Sequence, residues 1–94
     1  MTTDPTVRES AITLVDAFLE RRPARKPLSP AERAEVVDIA LGHTCRQTAA
    51  LVGASPETAR SRRKRIYRKL PSQTARAIQV ELLALSLEQL RRGA

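Results

Sequence analysis

The chain is almost without aromatic residues: Phe18 and Tyr67 are the only two, and tryptophan is absent. That scarcity argues against recognition of single strands or RNA loops, where bases stack on aromatic platforms. It also leaves Leu, Val, Ile and Ala to fill any core. Glycine is scarce as well, at three residues in 94. An aliphatic, Ala-rich and Gly-poor composition favours an all-α fold, a small helical bundle, over a sheet. Cys45 is the only cysteine, so no intrachain disulfide forms and a reducing compartment fits. No apolar run is long enough to span a bilayer, and the N-terminus carries no signal-peptide pattern. A soluble, cytoplasmic chain without membrane contact is the expectation.

Catalytic signals are missing too. His43 is the only histidine; it stands beside a helix end, is expected on the surface, and makes no metal set with Cys45. No Ser/His/Asp grouping, Gly-rich phosphate loop or carboxylate pair stands out, and the length leaves no room for a separate catalytic domain. The expectation is a protein that is not an enzyme and needs no cofactor.

What the chain does have is positive charge in one place. Residues 60–70 hold seven Lys/Arg and no acid, equal to the net charge of +7 for all 94 residues. Residues 1–59 carry seven basic against eight acidic side chains, and residues 71–94 three against two. A row of cations gains most by displacing counterions condensed on a polyanion, which points to nucleic acid, and with so few aromatics to a duplex. A charge run alone is more often a solvated face. Here Ala59, Ile66 and Leu70 add an apolar stripe at helical spacing, so the segment reads as a docked helix with a basic outer face.

Five helices are expected. Asp4-Pro5 starts the first, with Val7, Ala11, Leu14, Val15 and Phe18 along one face to about Arg22. Residues 21–30 contain three prolines and four cations, a stiff extended connector. A solvated linker is its simplest description, contact with phosphate the alternative. Ser29-Pro30-Ala31-Glu32 is a capping box opening a second helix to about Leu41, closed by a left-handed Gly42. Thr44-Cys45-Arg46-Gln47 opens a short third helix ending before Gly53, and Ser55-Pro56 starts a fourth that stops at Pro71. A short helix, a tight Gly turn and a longer basic helix is the helix-turn-helix layout. Ser72 caps a last helix of about twenty residues with two apolar stripes. Ala75, Ile78, Leu82 and Leu85 form one, and Val80, Leu83, Leu87 and Leu90 the other. One stripe docks the helix on its own domain. The second needs the matching helix of another chain, a homodimer, or else helix one covers it within the monomer.

From Leu28 to Leu70, 43 of 94 residues, the chain resembles the LuxR/GerE-type helix-turn-helix domain of bacterial transcription factors. The matching residues are Leu28-Ser29-Pro30-Ala31-Glu32-Arg33, Gly42, Ala49, Gly53, Ser55, Thr58 and Arg65-Ile66-Tyr67-Arg68-Lys69-Leu70. Glu35 and Asp38 stand where that family has apolar residues, and Thr48 where it has Ile. The fourth region of sigma factors is similar through Ser55-Pro56-Glu57-Thr58-Ala59-Arg60-Ser61-Arg62. The resemblance implies three parts: residues 1–27 as N-terminal helix and connector, 28–70 as the DNA-binding core, and 71–94 where such domains carry a dimerisation helix. It implies sequence-specific duplex binding by a transcriptional regulator. The alternative is a sigma-region-four-like or adaptor protein acting through RNA polymerase or another regulator.

With Ala59, Ile66 and Leu70 inward, 100° per residue turns Glu57, Arg60, Ser61, Lys64, Arg65 and Arg68 outward. Base readers in the resembling family lie one to two turns into this helix, which implies Arg60, Ser61 and Lys64. Arg and Lys address guanine O6 and N7, so a guanine-containing half-site is expected. Phosphate contacts are expected from Thr44, Arg46, Ser55, Thr58, Arg65, Arg68 and Lys69. Arg62 and Arg63 lie nearer the buried flank, where they snorkel to the backbone or pair with acids of helix two. The dimerisation residues are Val80, Leu83, Leu87 and Leu90.

Overall fold

A computed structural model describes residues 4–71 and 73–93. They form five helices, α1 (Pro5–Arg21), α2 (Pro30–Ala40), α3 (Cys45–Val52), α4 (Pro56–Lys69) and α5 (Ala75–Gly93), an all-α bundle. Among the described residues no helix is long and apolar enough to cross a membrane.

The local signals act as expected at most helix starts. The Asp4 carboxylate accepts from Thr6 N–H ahead of Pro5. Ser29 with Glu32, and Thr44 with Gln47, complete reciprocal capping boxes, each satisfying two backbone donors that a helix start leaves unpaired. The expected Ser72 cap lies outside the described residues; α5 begins at Ala75, and the Thr74 hydroxyl accepts from Ala77 N–H.

α2 is the central element, packed against α1, α4 and α5, while α3 packs on α4. Glu35, Val36, Val37, Asp38 and Ile39 are buried in succession. A helix enclosed on several sides cannot keep one apolar stripe and one wet face. Around it gather Ala11, Val15 and Phe18 of α1, Ile66 of α4, Leu70, and Ile78 and Leu82 of α5. Val7, expected on the inner face of α1, is 52% exposed.

Two expectations about segments outside the helices are corrected. The connector is no solvated linker: Ala24 and Leu28 pack against the core, and Arg25 N–H donates to the Lys69 carbonyl at 2.6 Å. His43 is no surface residue, being 4% exposed. Gly42 at φ +80 reverses the chain, its N–H donating to Ile39 and that of His43 to Asp38, the paired bonds of a Schellman ending. That turn folds the imidazole back onto α2, where Nδ1 lies 3.1 Å from Asp38 Oδ1.

α5 docks through Ile78 and Leu82, with Ala75 and Leu85 partly buried beside them. α1 meets α5, yet it does not cover the second stripe. Val80, Leu83, Leu87 and Leu90 are 58, 60, 53 and 70% exposed.

Candidate nucleic-acid interface

α3 and α4 are joined by Gly53, Ala54 and Ser55. Gly53 adopts φ 68, ψ 30, a left-handed conformation that side chains with a Cβ resist. Ala54 N–H returns to the Ala49 carbonyl at 2.9 Å, closing α3 while the chain reverses. Ser55 then caps α4 through Thr58 N–H, with its hydroxyl 3.0 Å from that of Thr58. The result is a short helix, a three-residue turn and a longer basic helix.

The inner face of α4 is Ala59, Arg63 and Ile66, continued by Leu70, all buried. Arg63 therefore sits on the packing seam itself, and its surroundings explain why a charge is tolerated there. Its Nε donates to Glu35 Oε2 at 2.9 Å; its Nη2 donates to the His43 carbonyl at 2.7 Å and to Thr48 Oγ1 at 3.0 Å. Glu35 Oε1 makes no hydrogen bond but lies 3.6 Å from Arg62 Nη1. One guanidinium thus ties α4 to α2, to the turn before α3 and to α3. The same turn is held from the other side, since Asp38 accepts from Arg8 of α1 at 3.0 Å as well as facing His43. A buried charge survives only when paired and hydrogen-bonded in this way. Close by, Tyr67 is partly buried, and burial raises its phenol above the ordinary value against the opposing pull of the Arg63 charge.

The outer face carries the residues expected to read bases. Arg60, Ser61 and Lys64 are exposed, as are Arg65 and Arg68. Arg60 makes an exposed contact with Glu57 at 3.3 Å, an i,i+3 pair of the kind that contributes about 0.2–0.5 kcal/mol and releases readily. Lys64, Arg65 and Arg68 have no ion pair among the described residues. Arg46 is exposed on α3, and Thr44 is exposed at its start. Because Arg63 reaches the His43 carbonyl, that start lies beside the middle of α4. Ser55 and Thr58 are exposed at the start of α4.

Lys69 is placed differently from the other expected phosphate contacts. Its ammonium donates to Glu32 Oε1 at 2.7 Å and to the Pro27 carbonyl at 3.3 Å, so it fastens α4 to α2 and the connector. Burial works against the Glu32 carboxylate, yet Lys69 and Ser29 together hold its pKa below the ordinary 4.5. Of the seven cations in residues 60–70, Arg62, Arg63 and Lys69 are thus matched by Glu35 and Glu32. The outward charge rests on Arg60, Lys64, Arg65 and Arg68.

In the sequence, Glu35 and Thr48 stand out only separately, as departures from an apolar pattern, and Arg63 falls on the flank. The available signal was their conjunction: polar residues at inward positions of three adjoining helices compensate one another. Comparison of the chain with protein-family profiles, with curated proteins and with solved structures finds no match.

Proposed function

We propose that the chain is a duplex-DNA-binding transcriptional regulator of LuxR/GerE-like type, with α4 in the major groove. The observation that carries this reading is the division of α4 into a buried seam and an exposed face of Arg60, Ser61, Lys64, Arg65 and Arg68. A helix of 14 residues is about 21 Å long, and the major groove is wide enough to admit it. Arg60 and Lys64 address guanine edges, and Ser61 lies between them. Arg65, Arg68 and Arg46 hold phosphates, aided by the hydroxyls of Thr44, Ser55 and Thr58.

The exposed stripe of α5 supports a homodimer. Val80, Leu83, Leu87 and Leu90 recur at steps of three, four and three, the spacing of a two-helix seam. Small residues flank it at Ala77, Ala84 and Ser86, which in such a dimer would let the two backbones approach closely. A two-fold axis through α5 would present two copies of α4 to an inverted repeat. One observation favours the adaptor reading instead: Leu51 and Val52 at the end of α3 are 58 and 59% exposed, an apolar pair suited to a protein partner.

The test is binding of Arg60→Ala and Lys64→Ala variants to a selected site and to random duplex. Each substitution should cost about 1–3 kcal/mol on the selected site and far less on random DNA. Equal losses on both would mean that these side chains do not read bases.

A further inference from the structure

We propose that the connector between α1 and α2 is a second phosphate-binding element, holding the duplex backbone beyond the bases that α4 reads. The proposal rests on the reading of α4 as a duplex-binding helix. Ala24 and Leu28 are packed on the core, and between them Arg25 N–H donates to the Lys69 carbonyl at 2.6 Å. The Lys69 ammonium in turn donates to the Pro27 carbonyl at 3.3 Å. Pro23 and Pro27 further restrict the backbone. The segment is a short loop held on either side of Lys26 against the last residue of α4, and Arg25 and Lys26 are exposed.

Their charges are uncompensated in a neighbourhood where other cations are matched. Arg21 pairs with Glu88, Arg22 with Glu81, Arg33 with Asp16 and Lys69 with Glu32. Arg25 and Lys26 have no ion pair among the described residues. The position also answers a difficulty for α4 itself. The C-terminal end of a helix carries about half a negative charge on its unpaired carbonyls and repels phosphate. Here one of those carbonyls is satisfied by Arg25 N–H, and two cations stand at that end. Because the loop backbone is already ordered, binding there avoids most of the ordering cost that a flexible basic arm incurs.

The experiment is a fluorescence-anisotropy titration of the full chain on duplex DNA across a salt series. Wild type is compared with Arg25→Ala/Lys26→Ala and with a charge-matched control, Arg91→Ala/Arg92→Ala, in the last turn of α5. Removing two phosphate contacts should make the slope of log affinity against log salt shallower by about 2 and weaken binding about tenfold or more near 0.1 M salt. The loss should be the same on selected and random duplex, and the control should retain most of the wild-type slope. A connector variant with the wild-type slope overturns the connector proposal and leaves α4 as the reader. A control that loses as much overturns it too, since position would then not matter. Wild type that binds no duplex at all removes the α4 reading and this one with it.

Discussion

Arg63 shows how one side chain decides the orientation of a basic helix. Replacing it by Met leaves Glu35 buried beside Arg62 alone, a loss of about 3–5 kcal/mol, whereas removing both charges of a buried pair is far milder. Urea unfolding of Arg63→Met, Glu35→Leu and the double variant should therefore show the double less destabilised than either single; additive losses would mean the pair does not couple. Against the cost of burial, Glu32 has a folded pKa lowered below the ordinary 4.5 by Lys69 and Ser29. Its contribution to stability is complete above 4.5, the value in the unfolded chain, and disappears as pH falls through the lower folded value. The urea midpoint of wild type should exceed that of Glu32→Gln at pH 7, and the gap should close in acid; a constant gap would contradict the pairing with Lys69. At this scale the sequence was only partly legible. Caps at Asp4, Ser29, Thr44 and Ser55 depend on neighbours a few residues away and could be read directly. The buried Glu35, Thr48 and Arg63 depend on partners 15 to 28 residues apart; helical spacing puts Arg63 near the buried flank and offers pairing with an acid of helix two, but it does not single out Glu35 or bring in Thr48.

Helices were legible at the scale of the element because proline, glycine and capping residues punctuate the chain. Their faces were legible where period and polarity agreed, as in α4 and α5. α2 resisted, since a helix with Glu35 through Ile39 buried in succession has no single stripe. Leu83 and Leu87 are largely exposed in the single chain, so Leu83→Glu/Leu87→Glu should keep its helical circular dichroism and thermal stability. Sedimentation should then find wild type dimeric at micromolar concentration and the variant monomeric, with much weaker binding to an inverted-repeat site. A monomeric wild type, or a variant that unfolds, would mean that the stripe is not an interface between copies.

The whole molecule redistributes the charge that the sequence displays. A net +7 concentrated in residues 60–70 reads as a basic outer face with Arg62 and Arg63 toward the buried flank; in the bundle Glu35 and Glu32 take up three of those cations, Lys69 included. The remaining outward set on α3 and α4 is Arg46, Arg60, Lys64, Arg65 and Arg68, with Arg25 and Lys26 at the end of α4. Burial thus turns part of a charge run into structure and leaves a narrower basic outer face. The most direct measurement of the central claim is the salt dependence of wild-type binding to duplex DNA. About five to seven phosphates neutralised per chain predict a slope of log affinity against log salt of about −4 to −6 per bound chain. A slope near zero, or no binding at low salt, would contradict the assignment of α4 to duplex DNA.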